Sequence, residues 1–447
     1  FFPPPPRKFS ITLLITIFCF FSCKKSDILL QLQSSSLEKN VRIVSEDTAR
    51  IIAENFNPTV FYNLSNRSNH SPYKSKLSGN NNAIEFENTI LDHANLPAMY
   101  VYSFADNNGF LFVSADYQME PILAFVENGE FKKGNAPGGI IMWLNKTIDN
   151  IEIVRKGLYD NTKLANAEWN KYFNSITENI AYKTTPLNVP VSNPCATNPN
   201  YTSSTSQTIG PLLPIAWGQW DTYNNLCPNK GCAESEDRDA PTGCVATAMA
   251  MVVRYWEQPA SKYNFSAMPI ESGNIYVQKL MSAVDTSVNM IYDCAGSHPP
   301  SEGYFGGVLL DKSTAQYIRD GFTSSFFGYS SASDEEYQDD WQTVQTNLSE
   351  GWPVILAGYP GENSTWGYPT GDGHVWVCDG SIYGETNYCL NGEELATTYL
   401  SFHMNWGWQE AGQTSNYNGW FSYNNWTIPQ DGINYHYYDE LAYNIHP

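Results

Sequence analysis

Apolar residues recur with the period of a helix near residue 50. Behind a serine that can cap a first turn, Ser45, the apolar positions are Ala49, Ile52, Ala53 and Phe56. This spacing predicts a short amphipathic helix.

The pattern changes to β-favouring runs further along. Residues 99–105 and 110–115 are rich in aromatic and β-branched side chains and are joined across an Asn-Gly turn, which predicts a hairpin. Residues 122–126 predict another strand, and residues 137–155 predict a helix. Together these elements indicate a small α+β unit.

A second unit follows a segment of different composition. Residues 184–210 carry Thr, Pro, Asn and Ser with little periodicity, which predicts a linker open to proteolysis. Beyond it one strong helix, several β runs and most of the Trp residues predict a larger α+β unit. The predicted organisation is a leader at 1–23, a small domain at 40–165, a linker at 166–207 and a large domain at 208–447.

Charge restricts the class of partner. The 447 residues include 46 acidic and 25 basic side chains, a formal net charge of −21. Such a surface repels phosphate backbones and anionic membranes, so nucleic acid is excluded as an expected partner. The aromatic content of 14 % excludes a wholly disordered protein.

The first residues predict an exported protein. Arg7 and Lys8 precede the apolar run 11–21, which is shorter than the roughly 20 residues that span a membrane. A signal peptide is therefore expected, with a secreted, outer-surface or periplasm-facing location. Ser22 and Cys23 before two lysines resemble a lipoprotein cleavage site, so Cys23 is a candidate lipid anchor, with simple secretion as the open alternative.

Export permits disulfides. With the leader cysteines and Cys244 set aside, six remain: Cys195, Cys227, Cys232, Cys294, Cys378 and Cys389. Only Cys227 and Cys232 are close enough in sequence to suggest a pairing, and fifteen connectivities are open. The CxxC spacing typical of zinc is absent from the sequence, so no metal site is predicted.

The strongest helix begins beside a cysteine. Pro241 and Thr242 are residues that begin helices, and the apolar face that follows places Cys244 in the first turn. There the helix dipole and free backbone N–H groups favour a thiolate and lower the thiol pKa. Gly243 leaves room for a substrate carbonyl. A buried structural cysteine is the better explanation unless a base lies elsewhere in the chain.

Two histidines compete for the role of that base. His374 follows a Gly-rich turn at the head of a β run, from which an imidazole can face a helix N-terminus across a cleft. His403 lies on the run 399–406, where we expect a strand histidine beside the site. The other five histidines lie in polar or turn-like surroundings.

Three further residues have the chemistry to assist. The amide of Asn405 can hold an imidazole in one tautomer, and the indole of Trp406 can shield that bond from water. A packed strand end is the alternative interpretation of both. The amide of Gln219 can join the backbone N–H of Cys244 in binding an oxyanion, although spacing alone does not identify it.

Four segments in fixed order carry a family resemblance. Residues 212–219, 242–248, 373–380 and 402–408 resemble the streptopain family of cysteine peptidases. The resemblance implies a papain-like α+β fold. It also implies roles for five residues: Cys244 as nucleophile, His374 as base, Gln219 in the oxyanion hole, and Asn405 and Trp406 orienting or shielding the imidazole.

The resemblance extends to the first domain. Residues 109–116 look like the propeptide of that family and related small protease inhibitors, which implies a pro-domain at 40–165. Three features depart from the family pattern: Val375-Trp376 in place of Ala-Phe, Gln409 in place of Gly, and a long segment at 381–398. The long segment leaves the substrate preference open.

The expected function is an endopeptidase made as a zymogen, with protein or peptide substrates, its own pro-domain as inhibitor and no cofactor. We expect cleavage within 184–210 to release activity. The pro-domain can cover the cleft or hold His374 away from Cys244, and the sequence leaves both routes open. Alternative functions are a catalytically inactive surface protein that binds peptides or acts as an inhibitor, and an amidase or transglutaminase using the same dyad.

Overall fold

A computed structural model describes most of the chain from residue 43 onward. The described residues are 43–58, 77, 82–132, 136, 138–158, 165, 168–169, 172–173, 202–300, 303–305, 308–310, 312–336, 341–358, 373–390, 393–409, 416–423, 426–428, 433–435 and 440–447. The predicted leader, Cys23, and residues 184–201 of the predicted linker lie outside this part. Residues 43–173 are called the N-terminal region below, and residues 202–447 the C-terminal region.

The described helices are α1 Glu46–Glu54, α2 Gly138–Arg155, α3 Cys244–Trp256, α4 Ile275–Ser287, α5 Thr314–Thr323 and α6 Trp341–Ser349. The described strands are β1 Ile84–Leu91, β2 Pro97–Phe104, β3 Phe110–Ser114, β4 Ile122–Val126, β5 Thr202–Ile209, β6 Gly303–Phe305, β7 Val308–Leu310, β8 Ser331–Glu336, β9 Val354–Gly358, β10 His374–Leu390, β11 Glu393–Asn405, β12 Gly419–Ser422, β13 Trp426–Ile428, β14 Ile433–Tyr435 and β15 Glu440–His446. The mixture confirms the α+β class. No helix among the described residues has the length and apolarity to cross a membrane.

Local sequence predicts most of the N-terminal region correctly. Ser45 caps α1, because its Oγ accepts the backbone N–H of Thr48 at 3.1 Å. The predicted hairpin is β2 and β3, and the predicted helix is α2. Strand β1 was missed, because its alternating residues lie at an exposed edge and gain their structure by pairing with β2.

One antiparallel sheet runs through both regions. Its strand order is β1-β2-β3-β4-β12-β11-β10-β9-β15-β8, with β5 also paired to β10. The junction is the ladder of β4 with β12, where Phe125 lies opposite Trp420. The N-terminal region therefore adds its strands to the sheet that carries the predicted site.

The two faces of β10 pack against helices from different regions. Val375 and Val377 belong to the apolar cluster around α3, which begins at Cys244. Trp376 and Cys378 belong to the cluster around α2 of the N-terminal region. Because side chains alternate along a strand, one face of β10 meets the helix of Cys244 and the other meets the predicted pro-domain.

The predicted linker is partly structured. Trp169 is buried in the N-terminal region and donates its Nε1–H to the carbonyl of Met119 at 2.8 Å. Residues 202–209 form β5 along β10. The prediction failed at these residues because backbone pairing, which Thr and Ser tolerate well, does not require an apolar pattern.

The disulfides also differ from the suggested pairing. Cys232 is bonded to Cys294, and Cys227 is a free thiol. Backbone contact between Asn229 and Asp239 folds the segment back on itself, so that Cys232 meets a distant cysteine rather than its neighbour in sequence. Cys389 is also disulfide-bonded.

Candidate active site

Cys244 is the first residue of α3. The residue before it, Gly243, has a φ of 91°, and a side chain there would overlap the carbonyl of Ser297. The hydroxyl of Ser297 donates to the carbonyl of Pro241 at 2.6 Å. These contacts fix the chain at the point where the thiol enters the helix.

The thiol faces backbone donors but stays protonated. Burial raises the pKa of the Cys244 thiol above its ordinary value, while the backbone N–H groups of Val375, Val245 and Cys244 itself act to lower it. The predicted net lowering is therefore wrong for this state. The helix N-terminus acts in the expected direction, but desolvation is larger.

His374 is the first residue of β10 and is buried. Its Nε2–H donates to the carbonyl of Trp406 at 2.8 Å, and its ring stacks on Trp376 at a centroid distance of 6.1 Å. Burial lowers the pKa of His374 to about 4, and the bond to Trp406 offsets only part of that effect. The imidazole is therefore neutral at physiological pH.

The helix α2 covers this imidazole. A Cβ built at Gly139 would overlap the Trp406 indole and lie 3.1 Å from the His374 ring. His374 stacks on Trp376, which belongs to the α2 face of β10, whereas the thiol of Cys244 begins the helix on the other face. Among the described residues, no hydrogen bond joins the Cys244 thiol to the His374 ring.

Asn405 and Trp406 lie at the end of β11, beside the imidazole. The Asn405 amide donates to the carbonyl of Ile215 at 2.6 Å. The hydrogen bond from the His374 Nε2–H is accepted by the Trp406 backbone carbonyl instead. The Trp406 indole packs against Trp376 with a ring-centroid distance of 5.1 Å. The amide–imidazole bond implied by the family resemblance is not formed in this state, and the roles of both residues stay predictions.

Gln219 is held close to the start of α3. Its carbonyl accepts the backbone N–H of Thr242, two residues before Cys244, at 3.0 Å. Gly218 lies so close to the carbonyl of Gln409 that a side chain at that position would overlap it. Gln219 is buried, and its backbone lies two residues from Cys244 across this bond; its oxyanion role stays a prediction.

Two family models match the chain. The model described as the Spi protease inhibitor matches residues 41–151, and the model described as the Peptidase C10 family matches residues 217–268 and 260–421. The chain belongs to the peptidase C10 family. Its N-terminal region corresponds to the propeptide of that family, and the family resemblance drawn from four sequence segments is confirmed.

Named relatives of this C10 peptidase are distant. It is 25 % identical over 351 residues to the thiol protease/hemagglutinin PrtT of Porphyromonas gingivalis, covering 69 % of this chain but 32 % of PrtT. It is 24 % identical over 375 residues to streptopain of Streptococcus pyogenes, covering 72 % of this chain and 75 % of streptopain. The chain thus spans about a third of PrtT.

Solved structures from Prevotella intermedia are similar as well. A prointerpain A fragment matches with a TM-score of 0.46 and 19 % identity, covering 80 % of this chain and 99 % of the fragment. Active interpain A matches with a TM-score of 0.36 and 22 % identity, covering 54 % of this chain and 96 % of that protein.

The rival histidine of this C10 peptidase has charged neighbours. His403 donates from Nδ1 to Asp379 at 2.6 Å, and its Nε2 lies 3.9 Å from Glu127 of the N-terminal region. Burial lowers the pKa of His403, but the charges of Asp379 and then Glu127 outweigh burial and hold it above its ordinary value. His403 is therefore held between two acidic side chains in the sheet, and these favour the protonated form of its ring.

The sequence analysis missed three residues of this C10 peptidase that contact His374 or His403. Asp379 had a signal, since it is a charged residue inside the apolar run 374–382. Gly139 and Glu127 had none, because their importance depends on how the N-terminal region packs against the C-terminal region.

Proposed function

We propose that this C10 peptidase is a cysteine endopeptidase made as a zymogen, with Cys244 as nucleophile and His374 as base. The observation that carries the proposal is the position of the thiol. Cys244 begins a helix and faces the backbone N–H of Val375, the residue next to His374. A turn of the imidazole from one face of β10 toward the other would bring the two groups together.

The chemistry is acyl transfer. The Cys244 thiolate attacks a peptide carbonyl, and the oxyanion is bound by the Cys244 backbone N–H and the Gln219 amide. The His374 imidazolium then gives its proton to the leaving amine. Water, deprotonated by His374, cleaves the thioester and restores the thiol. Asn405 and Trp406 orient and shield the imidazole during this cycle.

Latency follows from the contact of α2 with His374. Gly139 lies against His374 and Trp406, which supports the route in which the pro-domain keeps the imidazole from the thiol. In this state His374 is neutral and the Cys244 thiol is protonated, so the thiolate–imidazolium pair required for attack is absent from the described site.

Cleavage of the linker starts activation. We expect the cut within 184–210, outside the residues 202–209 that are paired in β5, because backbone paired in a sheet is a poor substrate for a protease. Until then inhibition is intramolecular, at an effective concentration on the order of mM. Mapping the new N-terminus of Cys244→Ala precursor after exposure to active enzyme tests the position of the cut.

Export is part of the proposal. The bond between Cys232 and Cys294 and the bonded state of Cys389 support an oxidising compartment. Lipid attachment at Cys23 is the finer hypothesis. Metabolic labelling with a radioactive fatty acid should mark the wild type and leave Cys23→Ser unlabelled; equal labelling would contradict the anchor.

The decisive experiment compares two cysteines. Cys244→Ala should abolish hydrolysis of a peptide substrate, whereas Cys378→Ala, which alters a buried free thiol on the strand of His374, should retain it. A thiol-directed affinity reagent should label Cys244 alone in the processed chain. If Cys244→Ala keeps its turnover, the nucleophile is wrong. Binding of peptides without turnover by the wild type would favour the inactive binding protein, and acyl transfer to amines would favour the transglutaminase.

A further inference from the structure

Asp379 links three segments of the peptidase sheet. Its carboxylate is buried within β10, where Oδ1 accepts the Nδ1–H of His403 at 2.6 Å and Oδ2 accepts the backbone N–H of Leu213 at 2.9 Å. Its backbone carbonyl also accepts the N–H of Leu212, at 2.8 Å. One residue therefore joins β10 to β11 and to the segment that leads to Gln219.

These bonds belong to a closed ring. Two residues beyond His403 the amide of Asn405 donates to the carbonyl of Ile215, which lies two residues beyond Leu213. The ring thus runs from Asp379 through Leu213 and Ile215 to Asn405 and His403, and back to Asp379. Each of its three segments carries a residue of the proposed mechanism: β10 carries His374, β11 ends at Asn405, and the third segment continues to Gln219.

The charge gives this ring its rigidity. A buried carboxylate is tolerated only when its oxygens accept hydrogen bonds, so Asp379 resists any slip that would lengthen them. Bonds to an ionised acceptor are about twice as strong as neutral ones. Because a misplacement of about 1 Å in a catalytic group lowers a rate by on the order of 100-fold, a fixed register has a catalytic consequence.

We propose that Asp379, together with His403, is a positioning residue of the peptidase. It touches neither substrate nor thiol, and it sets the relative placement of His374, Asn405 and Gln219 through the ring. This inference rests on the proposed function. In the zymogen the ring is already formed, so release of His374 from α2 completes a site whose other parts are in place.

The test replaces one oxygen of the ring. Asp379→Asn keeps the shape but turns one acceptor toward Leu213 or His403 into a donor. The matched control is Asp285→Asn, since Asp285 is also a buried carboxyl of the C-terminal region, bonded to the Tyr292 hydroxyl at 3.0 Å and outside the ring. Full-length chains are processed with an immobilised serine protease that is then removed, and active sites are titrated with an irreversible thiol reagent.

We expect Asp379→Asn to lower kcat per titrated site by about 10- to 100-fold with KM changed less than about threefold. The pH profile of Cys244 alkylation by iodoacetamide should shift as well, because the imidazole is misplaced. Asp285→Asn should lower the melting temperature without either change. If the two variants differ from wild type only in melting temperature, Asp379 is merely structural and the inference is overturned.

If Asp379→Asn does not fold, a second pair of variants, at His403, tests the positioning role. His403→Asn keeps an N–H donor for Asp379, whereas His403→Leu removes it. Rescue of kcat by Asn relative to Leu, by about tenfold per titrated site, is expected from a positioning role. Equal kcat in the two variants would overturn it. A wild-type chain without turnover would instead refute the proposed function, which keeps the two failures distinct.

Discussion

Two histidines lie buried in one sheet with opposite electrostatic surroundings. His374 is 5 % exposed and His403 is 1 % exposed. His374 meets the backbone carbonyl of Trp406 and the rings of Trp376 and Trp408, and burial lowers its pKa to about 4. His403 meets Asp379 and Glu127, and these charges raise its pKa against the effect of burial.

The difference fits His374 to its proposed role as a base and His403 to a fixed place in the sheet. A base must be free to take up and release a proton, and His374 has no carboxylate to hold its charge among the groups that shift its pKa. His403 is held in place by its ion pair with Asp379. Under the proposed function, withdrawal of α2 would lessen the burial that lowers the pKa of His374, whereas Asp379 would stay beside His403.

The largest expected effect contrasts these two side chains directly. His374→Ala should lower kcat of the processed chain by about 10³-fold or more, because it removes the general acid and base. His403→Asn, which keeps a donor for Asp379, should retain at least about a tenth of the activity. Both are measured on a peptide substrate with titrated active sites. The opposite ranking would assign the base to His403.

A substitution at Gln219 tests whether its amide binds the oxyanion in the proposed mechanism. Gln219→Ala should lower kcat by on the order of 10²-fold with little change in KM, the usual effect of losing one oxyanion donor. The control is Gln278→Ala, since the Gln278 amide is also buried and bonds the Thr222 carbonyl outside the site. A change confined to KM would show that Gln219 only binds substrate.

Gly139 tests the cover over His374. A methyl group there would overlap the Trp406 indole, so Gly139→Ala should loosen α2 and raise the basal turnover of the intact precursor by about tenfold, equivalent to about 1.4 kcal/mol. Gly157→Ala is the control for backbone strain beyond the other end of the helix: its φ of 71° strains any side chain, but no atom lies within 4 Å of its Cβ position. Gels must show that the chains remain uncleaved. Equal turnover in both variants would contradict the proposal that α2 keeps His374 covered.

Local patterns predicted what local forces determine. The cap at Ser45, the hairpin of β2 and β3, and the helix that begins at Cys244 follow from spacing and turn chemistry. The candidate residues Cys244 and His374 came from motifs whose chemistry is local. That the two faces of β10 are covered by helices of different regions, one of them α2 beside His374, was not predictable, because it depends on how the two regions pack.

Tertiary contacts likewise determine the other features that the sequence did not predict. Strand β5 has few apolar residues and exists because β10 offers a partner. The disulfide from Cys232 reaches a cysteine 62 residues away, which no sequence spacing indicates. The raised pKa of His403 includes, after the effect of Asp379, a contribution from Glu127, a residue of the other region.

Substitution of Glu127 has the smallest expected effect on basal turnover, and the size of that effect depends on pH. With His403 charged, Glu127 attracts it across the junction of the two regions, and the raised pKa of His403 includes this contribution. That stabilisation of the closed precursor is fully present below the ordinary pKa of 6.5 and is lost as pH rises through the raised value. Glu127→Gln should therefore raise basal turnover of the intact precursor in acid and leave it nearly unchanged in alkali.

The size follows from the distance of 3.9 Å between Glu127 and the His403 ring, a separation without a hydrogen bond. A single charge at that distance has a modest effect, so we expect turnover at pH 5.5 to rise about three- to tenfold relative to wild type at the same pH. Glu130→Gln is the matched control, because Glu130 lies on the same loop, is only half-buried and pairs with Lys132 rather than with His403. The ratio of variant to wild type cancels the pH dependence of His374. A ratio that stays constant from pH 5.5 to 9 would mean that Glu127 stabilises the closed state without His403, and the contrast between the two histidines would lose its link to the pro-domain.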